Sequence, residues 1–319
     1  MQERMNACYE KTMQVMEQVN QVIIGKEICV KKVMAAILAG GHILLEDIPG
    51  VGKTTMAMAF SKAMSLENKR LQFTPDVMPS DVLGFSLYQK QTGDFIYQPG
   101  AVMCNLFLGD EINRTSPKTQ SALLEVMEEG NVTVDGVTRK VPEPFVVIAT
   151  ENPAGSVGTQ LLPESQLDRF MICTSMGYPS LEDEIAIVQG KQRRSVEDNT
   201  QAVMSKEELT ICCDMVEQIY VVDDIYRYVC ELCQKTREHS MVELGVSPRG
   251  SVSLVRIAKA VAFLNGRDYV VPEDVEEIFF DVAAHRILRN SKARAARKTV
   301  EDILQEVLES VKKPTAVKR

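Results

Sequence analysis

Two short segments carry residues whose types and spacing could bind and hydrolyse a triphosphate. The first, DIPGVGKT at Asp47 to Thr54, fits the pattern G-x-x-x-x-G-K-[ST] at every position except the first. In such a loop backbone N–H groups face phosphate oxygens, the lysine reaches the β- and γ-phosphates, and the final hydroxyl can hold Mg²⁺. We predict that the loop binds nucleotide through Pro49, Gly50, Val51, Gly52, Lys53, Thr54 and Thr55. Lys53 is also predicted to be catalytic, and Thr54 to be a metal ligand.

Asp47 stands where the pattern expects glycine. Aspartate is among the few residues that tolerate left-handed backbone geometry, so the turn can still form. A carboxylate beside phosphates would be repulsive, however. We therefore expect the Asp47 side chain to point away from the nucleotide.

The second segment is LFLGDE, Leu106 to Glu111, an apolar stretch that ends in two carboxylates. Ligands bind at the carboxyl ends of the strands in an open parallel sheet. Asp110 would hold Mg²⁺, and Glu111 would polarise the attacking water as a general base. Taken alone, such a string is often an ordinary solvated strand end, but its position after a phosphate-binding loop favours the catalytic interpretation.

The elements around these segments alternate between strand and helix. Each strand is apolar on both faces, which predicts an α/β fold with a mostly parallel sheet flanked by helices. The predicted strands are His42–Glu46, Arg70–Phe73, Val102–Gly109 and Phe145–Thr150. The predicted helices are Gln2–Val19, Lys26–Leu38, Thr54–Met64 and Pro117–Glu129.

Two β-hairpins are expected to interrupt this alternation. Val132–Val141 has a central Asp-Gly pair between alternating residues, and Phe85–Gln98 has a turn near Thr92 to Asp94. Beyond Tyr178 the spacing is helical, which predicts an all-α second domain that includes Ile211–Val222, Ile225–Arg237 and Val252–Leu264. We place the domains at residues 1–178 and 179–319.

The composition limits the partners and the location. The net charge of −8 and pI near 5.2 argue against a large phosphate-neutralising surface, so nucleic acid is an unlikely partner. The polar start of the chain and the lack of a long apolar run predict a cytoplasmic protein without a membrane span. Cys230 and Cys233, with Cys212 and Cys213 upstream, fall within helical spacing, which favours buried thiols over a zinc site.

Six ordered strings resemble the MoxR family of AAA+ ATPases. They run from about residue 22 to 285 and are LLEDIPGVGKTT, LQFTPDVMPSDVLG, LFLGDEINRTSPKTQSALLEVMEEG, VVIATENP, LPESQLDRF and GVSPRGS. The resemblance implies a P-loop AAA+ core with two inserted β-hairpins, followed by a helical lid. It also implies binding and hydrolysis of ATP with Mg²⁺ as cofactor.

The resemblance assigns further roles residue by residue. Asn152 matches the sensor that orients the lytic water, and Arg169 matches the arginine finger presented to the next subunit. Arg249 matches the second sensor, which reaches from the lid to the γ-phosphate. Ile24 and Gly25 match the segment that cradles adenine. The alternative for Arg169 is a surface ion pair with Asp168 or Glu164.

At the level of function, the resemblance implies a hexameric ring that remodels or matures client proteins, with a von Willebrand factor A domain protein as partner. The hairpins are candidates for contact with the client or the ring's pore, or for packing between subunits. Arg114 is a candidate for facing a neighbouring subunit. Two other classes of function stay open. One is a nucleic-acid motor, against which the acidic charge argues, and the other is a nucleotide-gated scaffold with little turnover.

Overall fold

A five-stranded parallel sheet organises the first part of the chain. The computed structural model describes residues 2–47, 50–91, 93–151, 162–189 and 199–314. The strands lie in the order β2-β5-β8-β1-β9. Their bounds are β1 Ile43–Glu46, β2 Asn68–Gln72, β5 Leu106–Asp110, β8 Val146–Glu151 and β9 Ile172–Thr174.

Helices cover both faces of this sheet, because alternate strand residues pack into two separate apolar clusters. Ile43, Leu108 and Ile148 pack with α1 (Gln2–Val22), α2 (Glu27–Leu38) and α3 (Lys53–Ala63). Their sequence neighbours on the same strands, among them Leu44, Phe107 and Val147, face α5 (Pro117–Glu129) instead. The predicted α/β layering is confirmed, and it explains why these strands are apolar on both faces.

The register of the sheet aligns the carboxyl ends of its strands. Gln72 of β2 lies beside Asp110 of β5, and Thr150 of β8 lies beside Leu45 of β1. The segments that follow β1, β5 and β8 therefore meet at one edge of the sheet, and both chemically suggestive segments of the sequence lie there.

Both predicted hairpins are present as two-stranded ribbons. One pairs β3 (Gly84–Gln89) with β4 (Asp94–Pro99), beside the short helix α4 (Pro79–Leu83), and the other pairs β6 (Asn131–Val134) with β7 (Val137–Lys140). In the second turn Asp135 and Gly136 have φ of 52° and 74°, the left-handed geometry that Asp-Gly favours. The Arg139 guanidinium lies 4.0 Å from the centre of the Tyr97 ring and so connects the two ribbons.

The second part of the chain is helical. After the short helix α6 (Glu164–Leu167) and β9, its helices are α7 Leu181–Val188, α8 Lys206–Glu217, α9 Asp223–Glu238, α10 Pro248–Leu264, α11 Pro272–Ala283, α12 Ser291–Ala295 and α13 Val300–Ser310. The expectation of an all-α domain needs one correction. β10 (Val242–Leu244) pairs with β11 (Leu288–Arg289) in a small antiparallel sheet. These strands have two or three residues, too few for a periodic signal.

Most predicted boundaries are correct to within a few residues, but one strand begins later than expected. β5 starts at Leu106 rather than Val102. Val102 and Cys104 are fully buried, and the amide of Val102 bonds to the carbonyl of Val82 outside the sheet. The residues before Leu106 form a buried turn, and because they are as apolar as a buried strand, the sequence pattern placed the start of β5 too early. Among the described residues, no helix is both long and apolar enough to cross a membrane.

Candidate nucleotide-binding site

The phosphate-binding loop leaves β1 and enters α3 through two glycines with left-handed backbone. Gly50 and Gly52 have φ of 87° and 97°, values that residues with a Cβ rarely adopt, and Gly52 is the N-cap of α3. Lys53 and Thr54 follow in the first helical turn, where free backbone N–H groups favour an anion. The predicted residue Pro49 lies outside the described residues.

Lys53 lies within reach of the acidic residues at the carboxyl edge of the sheet. Its buried Nζ donates to the main-chain oxygen of Asp47 at 2.7 Å. Burial lowers the pKa of Lys53, while the charges of Asp47, Asp110 and Glu111 raise it. The two chemically suggestive segments therefore lie close enough in space to interact electrostatically.

The Asp47 carboxylate faces the segment after β9. It accepts hydrogen bonds from the Ser175 hydroxyl at 2.9 Å, from the backbone N–H of Met176, and from that of Gly177 at 3.1 Å. Asp47 is 5% exposed, so this pairing satisfies a buried charge. All three donors belong to the segment after β9, and that the side chain points away from a bound nucleotide stays a prediction.

Asp110 and Glu111 follow β5 and have different surroundings. Asp110 is buried, and one carboxylate oxygen accepts from Arg70 Nε at 2.6 Å. Glu111 has a φ of 57°, and its backbone N–H donates to the hydroxyl of Thr150 at 2.9 Å. This left-handed residue turns the chain sharply at the strand end. The Asp110 carboxylate and the Thr54 hydroxyl offer oxygen ligands of the kind that suits Mg²⁺.

Two neighbouring side chains hold the Glu111 carboxylate. Gln72 Nε2 and Arg114 Nη1 both donate to Glu111 Oε2, at 2.9 and 2.8 Å. Gln72 and Arg70 were not predicted as site residues, because a single polar residue at a strand end belongs to no motif. Arg114 was a candidate for facing a neighbouring subunit, and in the structure its side chain pairs with Glu111 of its own chain.

A second pair of acidic residues lies at the same edge. Glu46 and Glu151 are directly opposite each other on β1 and β8. Burial, together with the charge of Glu46, raises the pKa of Glu151 to about 7. The next residue, Asn152, is the predicted water-orienting sensor, and it lies outside the described residues.

The predicted adenine-binding segment lies between α1 and α2. Gly25 has a φ of 71°, and a Cβ there would overlap the Asp183 carboxylate of α7. Lys26 Nζ donates to the carbonyl of Tyr178 at 2.7 Å. A cavity of about 210 Å³ adjoins Gly25 and is also lined by Met176. Ile24, half-buried beside Gly25, lies in the same segment, which therefore contacts the connection from the sheet to the helical region.

Arg169 and Arg249 lie at the opposite edge of the sheet from the phosphate-binding loop of their own chain. Both guanidinium groups pair with Glu128 near the end of α5, Arg169 at 3.1 Å. The carbonyl of the preceding residue, Met127, accepts a hydrogen bond from His42 Nε2 at 3.0 Å. Since His42 precedes β1 and the loop follows it, the length of this strand, roughly 13 Å, separates the two sites.

This position corrects the expectation for Arg249. Within its own chain Arg249 does not reach from the lid to the phosphate-binding loop, because the start of α10 packs at the amino edge of the sheet. The alternative for Arg169, an ion pair with Asp168 or Glu164, is also not what the structure shows. Asp168 pairs with Arg286 at 2.7 Å, and Arg169 with Glu128.

The parallel sheet, the glycine loop and the acidic strand end define an ATPase of the AAA class. The family model "ATPase family associated with various cellular activities (AAA)" matches residues 42–172, and the AAA lid domain model matches residues 234–307. A crystal structure of a candidate ATPase from Cytophaga hutchinsonii superposes with a TM-score of 0.91, at 35% identity and 98% coverage of both chains.

The similarity to curated proteins gives the family. The chain is 35% identical to Chaperone MoxR1 of Mycobacterium tuberculosis, over 93% of this chain and 81% of that one. It is 46% identical to the uncharacterized protein YeaC of Bacillus subtilis and 28% identical to Protein MoxR of Methylorubrum extorquens, each over 93% of both chains. The chain belongs to the MoxR family of AAA+ ATPases.

Proposed function

We propose that this protein binds ATP with Mg²⁺ and hydrolyses it to ADP and phosphate. The observation that supports this most is that β1, which leads into the Lys53 loop, and β5, which ends in Asp110 and Glu111, end at the same edge of the sheet. Lys53 and the N-terminus of α3 hold the phosphates, Thr54 and Asp110 hold Mg²⁺, and Glu111 takes the proton of the attacking water. The bound metal neutralises charge on the phosphates and fixes their orientation.

In the same proposal, hydrolysis requires a ring of subunits, which we take to be a hexamer. Arg169 and Arg249 lie away from the phosphate-binding loop of their own chain. We therefore propose that they reach the γ-phosphate of the nucleotide bound to a neighbouring subunit. Arginines supplied in this way contribute about 10³ to 10⁵ in rate. An isolated subunit would then bind ATP and turn it over slowly.

The ring would use this cycle to act on another protein, as a chaperone-like remodeller or maturation factor. The β3–β4 ribbon supports protein contact, since it exposes Phe85, Leu87, Tyr88, Phe95 and Ile96. We propose this ribbon as the client-contacting element. The family resemblance is the basis for proposing a partner with a von Willebrand factor A domain.

Phosphate release is the direct test of turnover. The wild-type protein should release phosphate from Mg-ATP, and Glu111→Gln should bind ATP with similar affinity but lose about 10² or more in rate, because the general base is removed. Equal and negligible rates in both proteins, with intact binding, would instead favour a nucleotide-gated scaffold.

A further inference from the structure

One carboxylate bridges two arginines that come from different parts of the chain. Oε2 of Glu128 lies 3.1 Å from Nη2 of Arg169, which precedes β9, and Oε1 pairs with Nη2 of Arg249, which begins α10. Each oxygen therefore serves one guanidinium group. The three side chains are about 28 to 42% exposed, so the cluster lies at the surface, where another subunit could reach it.

A second set of contacts fixes the backbone on either side of this bridge. Asp168, next to Arg169, accepts from the hydroxyl of Ser247 at 2.8 Å, and Ser247 is the N-cap of the helix that carries Arg249. Asp168 also pairs with Arg286, which is 4% exposed and donates to the carbonyl of Phe170 at 2.6 Å. The segments bearing the two arginines are therefore tied together at the main chain and at the side chains.

The charges explain why a carboxylate is needed at this position. Two guanidinium groups close together repel each other, and a carboxylate between them offsets the repulsion. A guanidinium group has five N–H donors. Arg249 donates one of them to Glu128, and Arg169 lies within ion-pair distance of the same carboxylate. The remaining donors are enough for both arginines to bind one further anion without releasing Glu128.

We propose that Glu128 is a positioning residue for hydrolysis, whose carboxylate holds Arg169 and Arg249 side by side so that both reach the same terminal phosphate on a neighbouring subunit. This rests on the proposed function, in which the two arginines act on the next subunit's nucleotide. Glu128 itself contacts neither the nucleotide nor water in the reaction. Its role differs from that of Glu111, which lies at the other edge of the sheet.

Steady-state kinetics of Glu128→Ala and Glu128→Gln form the first part of the test. Without the Glu128 carboxylate the two guanidinium groups are no longer held side by side. Misplacement of catalytic groups in this way lowers kcat by about 10- to 100-fold. The KM for ATP and the Kd of ADP should stay unchanged, because a different edge of the protein holds the nucleotide. Glu125→Ala is the matched control, since Glu125 is an exposed glutamate one turn earlier on the same helix. Its kcat should equal that of the wild type.

Mixing subunits forms the second part. The Lys53→Ala subunit has a defective phosphate-binding loop but correctly placed arginines. The Glu128→Ala subunit has an intact phosphate-binding loop but misplaced arginines. In a one-to-one mixture roughly a quarter of the interfaces combine the intact halves. The mixture should therefore turn over ATP faster than either variant alone, which a fold defect in Glu128→Ala would not allow. Arg169→Ala mixed with Lys53→Ala is the reference for trans action.

The outcomes separate the two proposals. Recovery by Arg169→Ala but not by Glu128→Ala in the mixture would overturn the positioning role and leave the ring mechanism standing. An unchanged kcat in Glu128→Ala would overturn the positioning role as well. So would an increased kcat, because it would mean that Glu128 competes with the phosphate for the two arginines. No recovery by Arg169→Ala would count against the proposed trans arrangement itself.

Discussion

The carboxylate of Asp47 accepts a hydrogen bond from the hydroxyl of Ser175 across 2.9 Å. This contact joins the start of the phosphate-binding loop to the segment through which the chain leaves β9 for the helical region. Met176 and Gly177 add backbone donors to the same carboxylate. A change in the loop on nucleotide binding would therefore be transmitted directly to the connection with the lid.

Asp47→Gly should destabilise the protein, although it restores the general motif. The substitution removes three hydrogen bonds to a charged acceptor and leaves the buried N–H of Met176 without its partner, at a cost of about 2 kcal/mol. Chemical denaturation should show the loss, and Asp47→Asn, which keeps one acceptor oxygen, should lose less. Equal midpoints for Asp47→Gly and the wild type would show that this contact contributes nothing to stability.

Glu151→Gln should stabilise the protein in a pH-dependent manner. Burial and the charge of Glu46 raise the pKa of Glu151 from 4.5 to about 7, so folding favours the protonated form. The contribution of Glu151 to stability is full below about pH 4.5 and is lost as the pH rises through about 7. The free energy of unfolding of Glu151→Gln should therefore exceed that of the wild type by little at pH 5 and by on the order of 2 kcal/mol at pH 8.

Melting temperatures at pH 5 and pH 8 measure this difference. Glu129→Gln, which changes an exposed glutamate, serves as the control and should show no such trend. A gain for Glu151→Gln that is the same at both pH values would contradict the assigned environment of Glu151.

Arg169→Ala and Arg249→Ala should bind ATP normally and hydrolyse it about 10³-fold more slowly. Both arginines are proposed to act on the neighbouring nucleotide, so the specific activity of the wild type should also rise with protein concentration. Titrations with a fluorescent nucleotide and phosphate-release rates separate binding from turnover. Arg227→Ala changes an exposed arginine of the helical region and should leave both unchanged. Full turnover by Arg169→Ala at ring-forming concentrations would exclude the finger role.

The sequence identified the residues of the phosphate site because their spacing is local. Gly50 to Thr54 form one continuous turn, and Asp110 and Glu111 follow one apolar strand, so periodicity and strand direction were enough to predict that they meet. The same reasoning applies to the Asp135-Gly136 hairpin. The fold class followed from strands that are apolar on both faces.

Contacts between distant segments could not be predicted in this way. Nothing near Glu128 in the sequence indicates that α5 and the start of α10 meet, so its bridge to Arg249 and the location of that arginine emerged only from the packing of the helical region. Gln72 approaches Glu111 because of the register between β2 and β5. Both are side-chain interactions set by tertiary structure, for which a single sequence carries no periodic signal.

Isothermal titration calorimetry with Mg-ATP and Mg-ADP tests the central claim most directly, namely that one triphosphate and its magnesium bind between Lys53, Thr54 and the Asp110-Glu111 pair. The wild-type protein should take up nucleotide at one site per chain, and Lys53→Ala should lose at least about tenfold in affinity, because a buried cation that pairs with the phosphates is removed. Absence of nucleotide binding by the wild type, or unchanged affinity in Lys53→Ala, would contradict the account.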